Sequence, residues 1–277
     1  MRVLQINATY GVGSTGQIVK SIHELLLRNK YESFVAYQYC SEKPKNGYRI
    51  GNLIDWKMHA LYTRISGKQG YASKMATKKF LKWVDSVNPD VVHLHNLHAN
   101  YINLPMLCNY LAKKDIATVI TLHDCWFFTG KCFHFVESNC EKWKTGCGNC
   151  PRNKKDIKSL FFDRTHVAIL DKKNIFDNIK DLTIVGCSDW ISQKAQDSGV
   201  LHNRCVVTIR NGVDLSVFKP TEQSFREKYG LKDKFIVLGM ANKWLNKDNY
   251  DTVRHLAECF TNDIVVVLIG CKKDQIS

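Results

Sequence analysis

Short β-branched runs alternate with longer amphipathic stretches along most of the chain. Val3–Ala8, Ser33–Tyr37, Val91–Leu94, Thr118–Leu122, Leu182–Cys187 and Cys205–Ile209 read as strands. Between them, Thr15–Arg28, Ala72–Val87, Leu104–Lys113, Ile157–Asn178 and Ser188–Asp197 read as helices. In the first of these, Ile18, Ile22, Leu25 and Leu26 recur at helical spacing. Asn88-Pro89-Asp90 marks a helix-to-strand turn, because proline cannot continue a helix and disfavours helical geometry just before it. Strands that alternate with helices predict an α/β domain with a parallel sheet covered on both faces. After Phe218-Lys-Pro220 a second cycle begins, with helix Thr221–Tyr229, strand Phe235–Met240, helix Asp248–Phe260 and strand Ile264–Ile269. Two strands cannot form a sheet buried on both faces, so the expected second unit is incomplete. The expected division is residues 1–217, carrying a cysteine-rich loop at 124–155, followed by residues 218–277.

Gly11, Gly13 and Gly16 follow the first strand and open the first helix, matching the arithmetic of G-x-G-x-x-G. Glycine lets backbone amides approach a phosphate, and a helix N-terminus offers unpaired N–H groups with a favourable dipole. Ser14 or Thr15 can cap this helix as well as touch a ligand. A nicotinamide-binding fold shares the pattern, but no acidic residue stands near Tyr37 to hold a ribose. His93, His95, His98 and His123 fall at or just beyond strand C-termini, the edge at which open α/β sheets bind ligands. His93 and His95 share one strand face, and with no third ligand adjacent they read as core or turn histidines.

Cys132-x7-Cys140-x6-Cys147-x2-Cys150 is a compact four-thiol set whose Cys147-Gly-Asn-Cys150 end resembles a zinc knuckle. A structural zinc ion would cross-link a loop that has little apolar content to fold it. Free buried thiols and a disulfide are the other readings, and Cys125 and His134 are substitute ligands. Four cysteines leave no open coordination position, which excludes a catalytic zinc there.

Charge and composition narrow the picture only a little. The 40 Lys and Arg against 26 Asp and Glu give a net charge of +14, which favours an anionic partner. Lys43, Lys45, Lys78, Lys79, Lys113, Lys114, Lys154, Lys155, Lys172 and Lys173 are dispersed, as on a solvated surface. A zinc-containing nucleic-acid-binding protein would cluster basic residues with stacking aromatics. Lys142-Trp-Lys144 is the one local hint, so no specific nucleic acid is expected. The chain has no run of eighteen apolar residues, and its opening is too quickly polar for a secretory signal. With its eleven cysteines, this implies a cytoplasmic protein, in peripheral contact with the anionic inner face of the plasma membrane.

Five stretches carry a family resemblance. They are Gly13–Ile18, Asp90-Val-Val-His-Leu-His-Asn96, Thr121-Leu-His-Asp-Cys-Trp126, Thr145-Gly-Cys-Gly-Asn-Cys-Pro151, and Asn211-Gly-Val-Asp214 followed by Phe218. In this order they resemble retaining glycosyltransferases of family 4, with the GT-B fold, of the type used in bacterial polysaccharide biosynthesis. The resemblance implies a nucleotide-sugar donor, a glycan or lipid-linked acceptor, and no catalytic cofactor. It makes His123 the catalytic residue and assigns the donor phosphates to Gly13, Ser14, Thr15, Gly16 and Lys247. His95, Asp124 and Asn211 would line the donor and acceptor cleft. The chain departs from the family at Lys247, where arginine is usual, and at Asp248, where lysine is usual. A carboxylate there repels phosphate, and Lys243 is the neighbouring cation. The family's Glu-x7-Glu motif does not occur in residues 218–277. The resemblance therefore implies a C-terminally truncated enzyme, the alternative being an inactive fragment that binds ligand without turnover.

Overall fold

The computed structural model describes residues 1–220, 224–240 and 247–270. It divides into two compact units, Met1–Gly212 and Val213–Ser277. The first unit runs β1 (Arg2–Tyr10), α1 (Gly13–Arg28), β2 (Glu32–Cys40), β3 (Gly47–Arg49), α2 (Leu53–Ser66), α3 (Lys74–Val87), β4 (Val91–Leu94), α4 (Leu104–Lys114) and β5 (Ala117–Leu122). After three short 3-10 turns it continues through α5 (Thr165–Asp177), β6 (Leu182–Gly186), α6 (Asp189–Gln196) and β7 (Cys205–Thr208). Its seven strands form one parallel sheet in the order β3-β2-β1-β4-β5-β6-β7.

Side-chain alternation explains how both faces are covered. Leu4, Ile6, Ala36, Val92, Leu94, Ile120 and Ile184 join the main core, while Val35 and Tyr37 pack with Val19 of α1 in a smaller cluster. Parallel strands need such covering on both faces, since their crossover connections lie there.

Three features depart from the sequence expectation. The expected helix Ile157–Asn178 starts only at Thr165, because Asp163 Oδ1 accepts the Thr165 N–H at 2.9 Å and its hydroxyl at 2.7 Å. The residues before it run as a loop past the end of α2. No element was expected between Tyr37 and Ala72, yet β3 and α2 lie there. The signal for α2 is Asn52-Leu-Ile-Asp55, a capping box in which Asn52 Oδ1 accepts two backbone N–H groups and Asp55 accepts the Asn52 N–H at 2.9 Å. Lys172, expected on the solvated surface, is buried.

The second unit holds α7 (Phe225–Lys228), β8 (Phe235–Met240), α8 (Lys247–Glu258) and β9 (Ile264–Ile269), with β8 and β9 paired in parallel. Asp233 and Lys234 precede β8, and Thr261–Asp263 turn the chain from α8 into β9. The expected helix Thr221–Tyr229 is seen only as α7, residues 221–223 lying outside the described set.

In the first unit Phe80 is fully buried, with its ring 5.6 Å from Tyr48 and 6.0 Å from Trp83. Phe80→Ala removes that ring from a close-packed site, so urea denaturation is expected to show a loss of about 3–5 kcal/mol.

Candidate functional site

The C-terminal ends of β1, β4 and β5 are neighbours in the sheet, so the segments that leave them converge. From β1 the chain enters the glycine turn. Gly11 and Gly13 take φ of +68° and +66°, a left-handed conformation that glycine adopts without strain. A β-carbon on Gly16 would stand 2.8 Å from Thr9 Oγ1 and 3.3 Å from the Gly11 nitrogen, so the turn closes only with glycine there. The Gly11 N–H donates to Gly16 O at 3.0 Å and Thr9 Oγ1 donates to Val12 O at 3.0 Å, which locks it.

The N-cap of α1 is Val12, so neither Ser14 nor Thr15 caps the helix, as the sequence reading had allowed. Both lie inside its first turn. No side chain caps this end and no acidic residue occupies its first turn. With Gly13 and Ser14 exposed, the helix presents amides suited to an anion.

From β4 and β5 come the histidines. His93 Nε2 meets Thr121 Oγ1 at 2.7 Å, the His93 and His95 rings lie 4.0 Å apart, and His95 Nδ1 meets His123 Nε2 at 3.0 Å. Residues separated by nearly thirty positions thus form one ladder across two strands. His95 Nε2 is sealed without a partner. A bare ring nitrogen suits that position better than an unused N–H, which puts the proton on His95 Nδ1, donating to His123. His123 then carries its own proton on Nδ1.

Burial lowers His93 to about 4, with repulsion from His123 adding to it. Burial likewise drives His95 well down, helped by His93 and His123. For His123, burial outweighs the upward pull of Asp124. The ladder is therefore neutral near pH 7.

Asp124 is the acidic neighbour. Burial pushes it up, but the His98 bond at 2.9 Å and the Trp126 N–H at 2.8 Å hold it below the ordinary carboxylate range. Asn7 completes the arrangement from β1: fully buried, it accepts the Asn96 N–H through Oδ1 at 3.1 Å and donates to Thr9 O at 2.7 Å. It ties the loop after β4 to the strand that feeds the glycine turn.

Asn211 is exposed beyond β7, at the far side of the same sheet edge. Lys247 opens α8 in the second unit; its side chain, that of Asp248 and all of Lys243 lie outside the described residues. The expected lack of a carboxylate after the second strand needs correction. β2 runs on to Cys40, and Glu42 follows it, but Lys20 of α1 neutralises Glu42 in an ion pair.

Cys132, Cys140, Cys147 and Cys150 line one cavity of about 20 Å³, room for a single water-sized sphere. The neighbouring thiol pushes Cys132 up and Cys150 down, and burial pushes Cys147 up to about 11. The Gly130 N–H donates to Cys147 Sγ at 3.3 Å. Among the described residues no three Cys, His, Asp or Glu side chains stand in a metal-holding arrangement. The fold gathers four sulfurs around one void without drawing them onto a common point. Cys125 and His134, the substitutes, do not line it; Cys125 is buried and His134 exposed.

The sequence pattern of Glycosyltransferase Family 4 matches residues 16–217. The chain belongs to this family. It is 25% identical over 283 residues to the putative colanic acid biosynthesis glycosyl transferase WcaC of Escherichia coli strain K12, which covers 92% of the chain. The chain spans 65% of that relative's length. Among solved structures, sucrose-phosphate synthase from Thermosynechococcus elongatus superposes with a TM-score of 0.59 at 12% identity, covering 100% of this chain and 64% of the synthase. WaaG, a glycosyltransferase involved in lipopolysaccharide biosynthesis, gives 0.50 at 10% identity, covering 96% of this chain and 62% of WaaG. At such identities the likeness shows the fold, which is the GT-B type expected from the sequence.

In this family 4 chain, three groups escaped the sequence reading. Asn7 shares the otherwise largely apolar strand β1 with a second buried amide, Gln5, and nothing in the pattern told the two apart. His98 was noted without its partner Asp124. Lys172 had no signal at all: buried, it donates to Trp126 O and, at 2.9 Å, to Thr129 O, and it lies 3.7 Å from the centre of the Trp126 ring. Burial lowers its pKa to about 7. It holds the turn after β5 and the root of the cysteine loop.

The buried histidines make stability depend on pH. His93 and His59 are each lowered by burial from 6.5 to about 4. The unfolded chain therefore takes up protons first, and the stability contribution present above pH 6.5 is lost as pH falls toward 4. Urea unfolding is expected to weaken by up to about 1.4 kcal/mol per pH unit for each such histidine. The double variant His59→Gln, His93→Gln should flatten that decline.

Proposed function

We propose that this family 4 chain transfers a sugar, with retained anomeric configuration, from a nucleotide-sugar donor to a glycan or lipid-linked acceptor in cell-surface polysaccharide synthesis. The reading is carried by one juxtaposition: the uncapped N-terminus of α1 and the neutral His95–His123 pair share a single sheet edge. The similarity to WcaC, a putative colanic acid biosynthesis glycosyl transferase, supports the polysaccharide context.

In this reaction the acceptor hydroxyl attacks the anomeric carbon on the face from which the diphosphate departs. The carbon–oxygen bond to phosphate breaks, its electron pair stays on the diphosphate, and the acceptor proton passes to a phosphate oxygen. The first-turn amides of Gly13, Ser14, Thr15 and Gly16, of which Gly13 and Ser14 stand at the exposed end, supply fixed donors to the developing negative charge. His123, neutral and carrying its proton on Nδ1, donates to a sugar hydroxyl or phosphate oxygen. His95 fixes that tautomer, while Asp124 and Asn211 border the same edge. Lys247 is the phosphate ligand proposed from the second unit.

Transfer from UDP- and GDP-sugars, measured with the protein at its natural length, tests this. His123→Ala is expected to lower kcat about 100-fold, as loss of one transition-state donor does, with a modest fall in melting temperature because the buried His95 N–H loses its acceptor. Wild-type rates in that variant would remove His123 from the reaction. Nucleotide binding without any turnover would support the binding-only alternative.

We also propose that Cys132, Cys140, Cys147 and Cys150 hold a structural zinc ion, which would draw the four sulfurs together and fix the loop. The support is an all-sulfur donor set around one ion-sized void and the N–H bond to Cys147 Sγ. Elemental analysis is expected to find one zinc per chain, lost in Cys147→Ser with Cys150→Ser, and a chelator should lower the melting temperature. All eleven thiols titrating in a metal-free, equally stable protein would overturn this assignment. A protein that titrates two thiols short would instead show a disulfide.

A further inference from the structure

Helix α2 is amphipathic in the inverted sense. The residues it buries are polar: His59 Nδ1 meets Ser73 Oγ at 2.8 Å, and Thr63 Oγ1 donates to Asn100 Oδ1 at 3.3 Å. Its apolar residues face outward instead. Ile54, Met58, Leu61 and Ile65, spaced i, i+4, i+7 and i+11, form one continuous stripe, with Ile54 71% and Met58 60% exposed. The stripe does not end with the helix. The Leu160 N–H donates to Arg64 O at 2.8 Å, which brings the loop after the cysteines alongside, and Phe161 and Phe162 project there with Phe161 70% exposed. An apolar surface of this kind marks an interaction site rather than ordinary scattered exposure.

Charge identifies the partner. Lys57 and Arg64 flank the stripe on α2, and Lys158 and Arg164 flank the two phenylalanines, all of them exposed. The one carboxylate of α2, Asp55, is engaged in the capping box. Tyr62, on the stripe's other flank, also lines a cavity of about 530 Å³ with Lys68 and Lys74. Its carboxylate, Asp171, accepts from Tyr71. Asp163, beside Phe162, is taken up by the Cys150 and Thr165 N–H groups and the Thr165 hydroxyl. Apolar side chains bordered by cations, with these nearby carboxylates engaged, match the boundary between acyl chains and anionic headgroups. No helix among the described residues is long and apolar enough to cross a membrane, so this helix would lie in the interface plane.

We propose that the outer face of α2, together with Phe161 and Phe162, docks the protein onto an anionic lipid bilayer. The proposal rests on the lipid-linked acceptor read above for its purpose, but its readout is independent of sugar transfer.

The test is co-sedimentation of the full chain with phosphatidylcholine vesicles, with and without phosphatidylglycerol. Binding is expected to vesicles containing the anionic lipid and to fall with salt. Ile54→Ser with Leu61→Ser should cut the partition coefficient by at least about tenfold at an unchanged melting temperature, because both side chains leave the apolar layer. Reversal of Lys57 and Arg64 to glutamate should cost on the order of fivefold per residue on anionic vesicles. Equal partition of the serine variant and the parent would overturn the proposal. So would a parent that dimerises in sedimentation velocity through this face without binding vesicles, which would make a second copy the occupant. Vesicle binding without sugar transfer would sink only the enzymatic reading, and transfer without vesicle binding only this one.

Discussion

The parallel hydrogen-bond ladder through β2, β1, β4 and β5, sealed on both faces, is the constraint from which the site follows. Parallel pairing sends all four strands out at one edge, so loops far apart in sequence must meet there. The sealing does chemical work as well. It removes water from the histidines between β4 and β5, and that desolvation rather than any single partner keeps their rings uncharged. The two ends of the ladder differ in what they can do: His93 is pinned to Thr121, while His123 retains a ring nitrogen for a ligand.

A second layer of support comes from polar side chains placed where only the finished fold could satisfy them. Asn7 ties the end of strand β1 to the loop after β4. Lys172 collects two carbonyls and an aromatic face beneath the turn that follows His123 and Asp124. Arg152, buried at the far end of the cysteine loop, pairs with Asp156 through two nitrogens at 2.9 Å each and with Glu137 at 2.7 Å. The loop is thus anchored at both ends by buried basic side chains and, contrary to the small apolar content expected of it, also places Trp126, Phe127, Phe128, Phe135 and Trp143 in the main core.

Much of the sheet was legible because strand residues obey a local rule. Val91–Leu94, Phe235–Met240 and Ile264–Ile269 have the bounds that their β-branched runs suggest. The glycine turn was legible too, since Gly11, Gly13 and Gly16 leave a spacing that few other constraints produce. What escaped was non-local or reversed. The partners His98 and Asp124 lie twenty-six positions apart, and no spacing rule connects them. The burial of Lys172 depends on carbonyls more than forty positions away. Helix α2 was missed because pattern reading expects the apolar stripe of a helix to turn inward, whereas here His59 and Thr63 turn inward.

That reversal separates two properties that most helices fuse. In an ordinary amphipathic helix the side chains that hold the protein together are the greasy ones, so altering them alters the fold. In α2 the folded state relies on a capping box, a left-handed glycine at position 67 and two inward hydroxyl and imidazole contacts. The outward positions are left free to drift. A lineage could change which surface this protein rests on, or abandon one entirely, by substitutions that the rest of the domain would not feel.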